Sequence, residues 1–326
     1  MSFPDSLIYI AESEAEAAIH MPEAIETVRE AYRSCAAGTF RPGDRIVQSV
    51  GSNQHMGQWL TAISSEPPIF GTKFSADFPD NYTRGLPNVR SVIELYSSTD
   101  GSQLAILEAN YLTALKTGAG AAVATDLLAR KDAESLGIIG TGIQAFTQVM
   151  AIQEVRKLSA LYIYDMSRDR MEQFAERVRP RLSETCEIVL CDTAEECVSR
   201  CDILCTATPS RTPVFDGKAL QPGTHVNAIG SFTPDMQEID ASVVKRAACI
   251  FTEHTEGLWA AAGDILIPLK QGLITRDVVS GSIADLLTGT VPGRQNSTDI
   301  TLYESVGSCV LDMAIAIAVY EKSRKE

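Results

Sequence analysis

The chain has 326 residues, 45% of them hydrophobic, and a formal net charge of −14. Such a length and apolar content can bury a sizeable core and favour two domains over one. The charge excludes nucleic acid and anionic membrane as main partners, because neither is attracted by such a field, so any cations that matter must act locally.

The opening Met1-Ser2-Phe3-Pro4-Asp5 lacks the basic start and apolar run of a secretory signal. Residues 22–37 read as a helix. Pro22 suits its first turn, Ile25, Val28, Tyr32 and Cys35 recur at helical spacing, and Gly38 can stop it. From there to about Leu107 the pattern changes to short β-like runs at 45–50, 59–63, 69–74 and 91–96, separated by Pro, Gly, Asn and Asp clusters. These predict a mixed sheet domain. An alanine-rich helical stretch, 111–130, then carries the chain into a second domain.

Here lies the most informative segment, Leu136-Gly137-Ile138-Ile139-Gly140-Thr141-Gly142-Ile143-Gln144-Ala145, an apolar strand running into a G-x-G-x-x-A turn that opens a helix. Gly140 permits the tight turn, Gly142 lets the backbone approach a pyrophosphate, and Ala145 lets the helix lie close on its strand. The N–H groups at the helix start, around Ile143 and Gln144, would face the phosphates. A second strand, 160–164, ends in Asp165, at about the ~20-residue spacing of a carboxylate that takes the adenosine ribose hydroxyls. Asp165 would repel a 2′-phosphate and so favours NAD. Ser167, Arg168 and Arg170 follow at once and would suit NADP, so both cofactors stay open with NAD ahead.

Further strands at 187–190, 203–207, 224–229 and 249–252, with a helix at 193–199, continue the alternation. Thr206, Thr208 and Ser210 fall just past a strand, where nucleotides bind, and are candidates to line the cofactor site. Ser231 and Asp299 are candidates to face nicotinamide or substrate, whereas Asp77, Asp80 and Asp264 read equally well as turn formers. Residues 302–322 read as one long terminal helix packing back on the first domain. The longest apolar stretch near that end, 313–320, is shorter than the ~20 residues that cross a bilayer. The eight cysteines contain no C-x-x-C pair and the four histidines no paired spacing, which predicts reduced thiols in a cytoplasmic protein and no metal site.

Several segments in order resemble the ornithine cyclodeaminase/mu-crystallin family: Gly71-Thr72-Lys73-Phe74, Gly85-Leu86-Pro87, 112–119 with Lys116-Thr117-Gly118, the fingerprint, 206–210, Gly230-Ser231 with Pro234 and Glu238, Gly293-Arg294, and 299–303 with Gly307. The resemblance implies an α/β protein with two parts. One is a mixed α+β substrate and dimerisation domain over 1–118 and 301–326; the other is a Rossmann-type doubly wound parallel sheet over 119–300. The family commonly forms a homodimer. The resemblance further implies a substrate bearing an α-carboxylate beside an amine or imine carbon. Arg45 and Lys73 match the family's carboxylate-binding and catalytic basic residues. Lys116 stands where the family usually has arginine, and it keeps the charge but loses the planar two-pronged grip. Lys73 could supply both charge and a proton if burial near Arg45 and Lys116 lowers its pKa. Cyclodeaminases of the family carry an aspartate directly after the Gly-Gly or Gly-Ala at the end of the fifth strand, whereas this chain has Gly230-Ser231-Phe232, and serine is no base near neutrality. The expectation is therefore an NAD(P)H-dependent reductase of a small imino acid, or a related amino-acid dehydrogenase. The alternatives are an ornithine cyclodeaminase and, from another class, a cofactor-dependent binding protein.

Overall fold

The computed structural model describes residues 7–51 and 55–324, so the opening five residues read above lie outside the described ones. The chain forms two compact units, Met1–Lys116 with Ser308–Glu326, and Thr117–Gly307. The first unit begins with β1 (Ile8–Ile10), α1 (Glu12–Ala18) and α2 (Met21–Ala36). The antiparallel strands β2 (Phe40–Ser49), β3 (Met56–Ser64), β4 (Ile69–Asp77), β5 (Val89–Ser97) and β6 (Gln103–Glu108) follow. They make a sheet in the order β1-β6-β5-β4-β3-β2, with β1 parallel to β6. Directly opposed residues share a face. Lys73 opposes Leu60 and Ile93, and Leu60 opposes Arg45, which sets Arg45 and Lys73 on one face, two strands apart.

Helix α3 (Asn110–Leu128) contains the step from the first unit to the second. The second unit then alternates: β7 (Ser135–Ile139), α4 (Ile143–Val155), β8 (Ala160–Tyr164), α5 (Arg168–Val178), β9 (Glu187–Leu190), α6 (Ala194–Arg200), β10 (Ile203–Thr206) and β11 (His225–Ala228). It closes with α7 (Ala241–Arg246), β12 (Ala247–Thr252), α8 (Thr255–Ala261), α9 (Gly263–Lys270), β13 (Gly281–Ser282), α10 (Ile283–Leu287) and β14 (Ile300–Glu304). All its strands are parallel, in the order β13-β12-β14-β11-β10-β7-β8-β9. From β7 the chain steps outward to β8 and β9, then returns to the other side of β7 for β10 and β11. That reversal is the Rossmann-type doubly wound arrangement, with its crevice at the carboxyl ends of β7 and β10.

The terminal segment differs from the sequence reading. Ile300–Glu304 is a fully buried strand, inserted between β11 and β12, and only Cys309–Ser323 is helix (α11). A run of β-branched and aromatic residues buried on both faces carries no helix-or-strand period of its own, so the vacancy for a partner in the sheet decides it. The Ser308 hydroxyl then caps α11 by accepting from Val310 N–H at 3.3 Å. A domain boundary at 301 would cut this strand from its sheet; the second unit runs on to Gly307. In the first unit α11 packs on α2 and on β2 through β5. Gly71 admits it: a Cβ there would stand 2.5 Å from Met313 Cε and 2.2 Å from Glu94 O.

Within the second unit His225 is buried between Thr301 Oγ1, 2.9 Å from Nδ1, and Asn227 Oδ1, 3.2 Å from Nε2, while Asn227 Nδ2 donates to Thr125 Oγ1 at 2.9 Å. Burial, with the charge of Arg294 adding, pushes its pKa down from 6.5 to about 3. The unfolded chain therefore binds a proton that the folded one refuses, and stability present above pH 6.5 is lost as pH falls towards 3. Urea unfolding should show a loss from this residue of about 2 kcal/mol between pH 6.5 and 5, and His225→Gln should flatten that slope.

Candidate active site

The fingerprint turn is built as its residue types require. Gly140 has φ +95°, and a Cβ there would stand 2.7 Å from Ala207 O, so the end of β7 can lie against the β10 loop only as glycine. Gly142 is the N-cap of α4, and a Cβ on it would meet no protein atom within 4 Å. Ile143 and Gln144 open α4 with their N–H groups, and Ala145 is fully buried beneath. At the end of β8, Asp165 accepts from Thr141 Oγ1 at 2.8 Å, Ser167 N–H at 3.0 Å and Arg170 Nη2 at 2.7 Å. The carboxylate is held at the crevice edge, with Arg168 and Arg170 exposed beside it. Ser167 spends its hydroxyl capping α5, and Arg168 donates to Leu190 O at 3.4 Å.

Thr206 and Ser231 are turned inward. The Thr206 hydroxyl donates to Glu238 Oε2 at 2.9 Å and that of Ser231 to Met236 O at 3.0 Å, so neither hydroxyl faces a cofactor here. Thr208 accepts from Ser210 N–H at 3.3 Å. Asp299 accepts from the Gln295 and Asn296 N–H groups and so shapes a turn. The organising residue, which sequence reasoning placed only as part of a motif, is Glu238. Fully buried, it also accepts from Thr208 N–H and Gly230 N–H, each at 2.6 Å, and so ties the loop after β10 to the loop after β11. Asp264, read as a possible turn former, is instead buried behind it and accepts from Glu238 N–H at 2.6 Å and Ile239 N–H at 2.9 Å. Burial, with the neighbouring charge of Glu238, pushes Asp264 up to about 8.

In the first unit the structure brings Lys73 and Lys116 together on an acid that the sequence reading did not single out. Lys73 Nζ donates to Asp312 Oδ1 at 2.9 Å. Asp312 Oδ2 lies 2.9 Å from Lys73 Nζ and 3.5 Å from Lys116 Nζ, without hydrogen-bond alignment to either. All three are buried, on β4, α3 and α11. Arg45 instead donates to Gln58 Oε1 at 2.7 Å. Burial lowers the pKa of Lys73 and Lys116 lowers it further, while Asp312 opposes both. Two ammonium groups on one carboxylate leave one net positive charge, suited to a further carboxylate. The signal for Asp312 was available: it is the one acid in the apolar run Cys309-Val310-Leu311-Asp312-Met313-Ala314-Ile315-Ala316. Among the described residues no group of three or more His, Cys, Asp or Glu is arranged to hold a metal ion.

The model of the ornithine cyclodeaminase/mu-crystallin family matches residues 8–326. The chain belongs to this family. An alanine dehydrogenase of Archaeoglobus fulgidus is 32% identical over 319 residues, 97% of this chain and 95% of that one. The structure of Thermococcus litoralis Δ1-pyrroline-2-carboxylate reductase with NADH and L-proline is similar with a TM-score of 0.94 at 33% identity, covering 98% of each chain. An archaeal alanine dehydrogenase dimer with bound NAD matches with a TM-score of 0.91 at 31% identity, covering 98% of this chain and 96% of that one.

Removing the Glu238 carboxylate leaves two part-buried N–H groups and a buried hydroxyl unsatisfied. Glu238→Ala should cost about 3 kcal/mol or more in urea unfolding. The milder Glu238→Gln should weaken NADH binding, read by nicotinamide fluorescence, by about tenfold, since it loosens the two loops without emptying the site.

Proposed function

We propose that the protein is a nicotinamide-dependent reductase of a small cyclic or linear imino acid, of the pyrroline-2-carboxylate type, giving the amino acid. An amino-acid dehydrogenase using the same hydride step is its chemical neighbour. The observation that carries the reading is the buried pair Lys73 and Lys116 on the single acid Asp312, a charge arrangement that matches one α-carboxylate. In this reading the second unit binds the dinucleotide and the first unit binds substrate. The residues fit a dinucleotide: Gly140 and Gly142 clear its path, the start of α4 faces its pyrophosphate, and Asp165 takes ribose hydroxyls. The bound nicotinamide supplies the hydride.

The chain's own residues do the rest. Lys116 and Lys73 orient the substrate carboxylate, with Arg45 on the same sheet face adding a planar grip. Lys73 gives a proton to the imine nitrogen. Ser231 supplies no carboxylate and its hydroxyl is engaged with Met236 O, which disfavours ring-closing deamination of ornithine. Purified protein with NADH should reduce pyrroline-2-carboxylate, piperideine-2-carboxylate, or pyruvate plus ammonia. Turnover of ornithine with NAD as the sole activity would overturn the reading. Lys73→Met should lower kcat/KM by about a hundredfold or more while NADH still binds, which a pure binding protein would not show.

NAD is favoured over NADP because Asp165 is locked in place, both of its oxygens accepting bonds within the turn. Asp165→Ser, which removes that charge and frees Arg170, should shift the NADPH to NADH ratio of kcat/KM by at least about tenfold towards NADPH. We also assign a homodimer through the outer face of the first unit's sheet. There Ile63 (45% exposed), Phe70 (36%) and Ile46 (53%) stand with the tilted pair Trp59–Phe74 and the stacked pair Phe70–Tyr96, an apolar and aromatic surface of the kind that marks an interface. Phe70→Glu should convert a dimer to a monomer in light scattering. The eight unpaired cysteines support a reducing, cytoplasmic setting; no described helix is long and apolar enough to cross a membrane.

A further inference from the structure

We propose that Asp312 is the positioning residue of the reaction: its carboxylate fixes Lys73 Nζ and, standing between Lys73 and Lys116, keeps the proton-donating lysine charged until an imino-acid carboxylate arrives. The proposal rests on the imino-acid reading above and assigns a role within it to a residue that touches neither substrate nor cofactor.

The geometry is specific. Asp312 is drawn from the last helix of the chain to meet a lysine 239 positions earlier, and both of its oxygens approach that lysine within 2.9 Å. Only one of them is aligned as a hydrogen-bond acceptor; Oδ2 faces both ammonium groups without an aligned bond to either. A single carboxylate therefore fixes one lysine firmly and leaves the pair with one positive charge uncompensated and available to a ligand. The remaining groups facing Lys73 are few. Cys309, one turn before Asp312 on α11, is pushed up to about 12 by burial and stays a neutral thiol. Leu60 and Ile93 flank Lys73 on β3 and β5, and Arg45 lies beyond Leu60 on β2, bonded to Gln58. Burial and Lys116 both drive Lys73 towards its neutral form, and Asp312 is the acid that opposes them.

The proton balance follows. Lys73 protonates the imine nitrogen, the hydride pair enters the adjoining carbon, and the neutral Lys73 takes a proton back from water. A substrate carboxylate beside Lys116 adds a second negative charge to the cluster and strengthens the hold on the lysine proton as the site fills.

Two variants and two readouts test this. In Asp312→Asn the alkaline limb of kcat/KM should move to lower pH by about one unit or more, because Lys73 loses its counter-charge. In Lys116→Met that limb should move the opposite way, whatever the loss in KM. A role confined to packing would lower activity and leave the limb in place in both. The Lys73 titration should be followed in parallel on intact enzyme labelled with 13Cε-lysine, the resonance assigned by its loss in Lys73→Arg, since this needs no turnover. NADH binding reports folding, and Lys116→Met still decides if Asp312→Asn does not fold. Midpoints of Lys73 that agree in all three proteins within about 0.3 pH unit would overturn the proposal. Absence of activity in the wild type, with the opposite shifts still present by resonance, would overturn the imino-acid reading and with it the role in the reaction, leaving only the charge coupling of Asp312 to Lys73.

Discussion

Two ammonium groups taken out of water cost several kcal/mol each unless a counter-charge meets them. Asp312 meets both. The rest of the first unit can be understood as the means of bringing that carboxylate to its place. Helix α11 must lie close on β4, and Gly71 alone permits this at the point where Met313 and Glu94 would otherwise meet a Cβ. The sheet register then sets Lys73 beneath the helix and Arg45 two strands away on the same face. Burial of the cluster is what makes it chemically useful, because a lysine surrounded by Leu60, Ile93 and α11 releases its proton more readily than one in water.

The second unit solves a different problem with the same tool, a fully buried carboxylate. Glu238 gathers a hydroxyl and two N–H groups from the ends of β10 and β11, and Asp264 in turn holds the backbone of Glu238. The loops at the crevice are thereby fixed from behind. The inward turn of Thr206 and Ser231 belongs to this design. Their hydroxyls complete the support, bonded to Glu238 and to Met236 O.

A further buried acid, Glu304 at the end of β14, has both oxygens without hydrogen-bond partners among the described residues. Burial and the nearby Asp264, Glu238 and Glu253 hold its carboxyl well above the usual range. Neutrality is the cheaper state for a carboxyl that no cation or donor reaches.

What the sequence determined by itself was whatever rests on short-range geometry. The G-x-G-x-x-A turn, the strand leading into it and Asp165 at the next strand's end lie within one β-α-β unit, where spacing fixes position. The alternation of strands and helices likewise announced a parallel sheet, and family likeness marked Arg45, Lys73 and Lys116 one by one. Tertiary structure alone decided which distant residues share a charge. No local pattern says that Asp312 meets Lys73 and Lys116, or that the buried run Ile300–Glu304 joins a sheet when it reads equally well as helix. Both depend on packing between elements far apart in the chain, where burial makes the choice and residue spacing is silent.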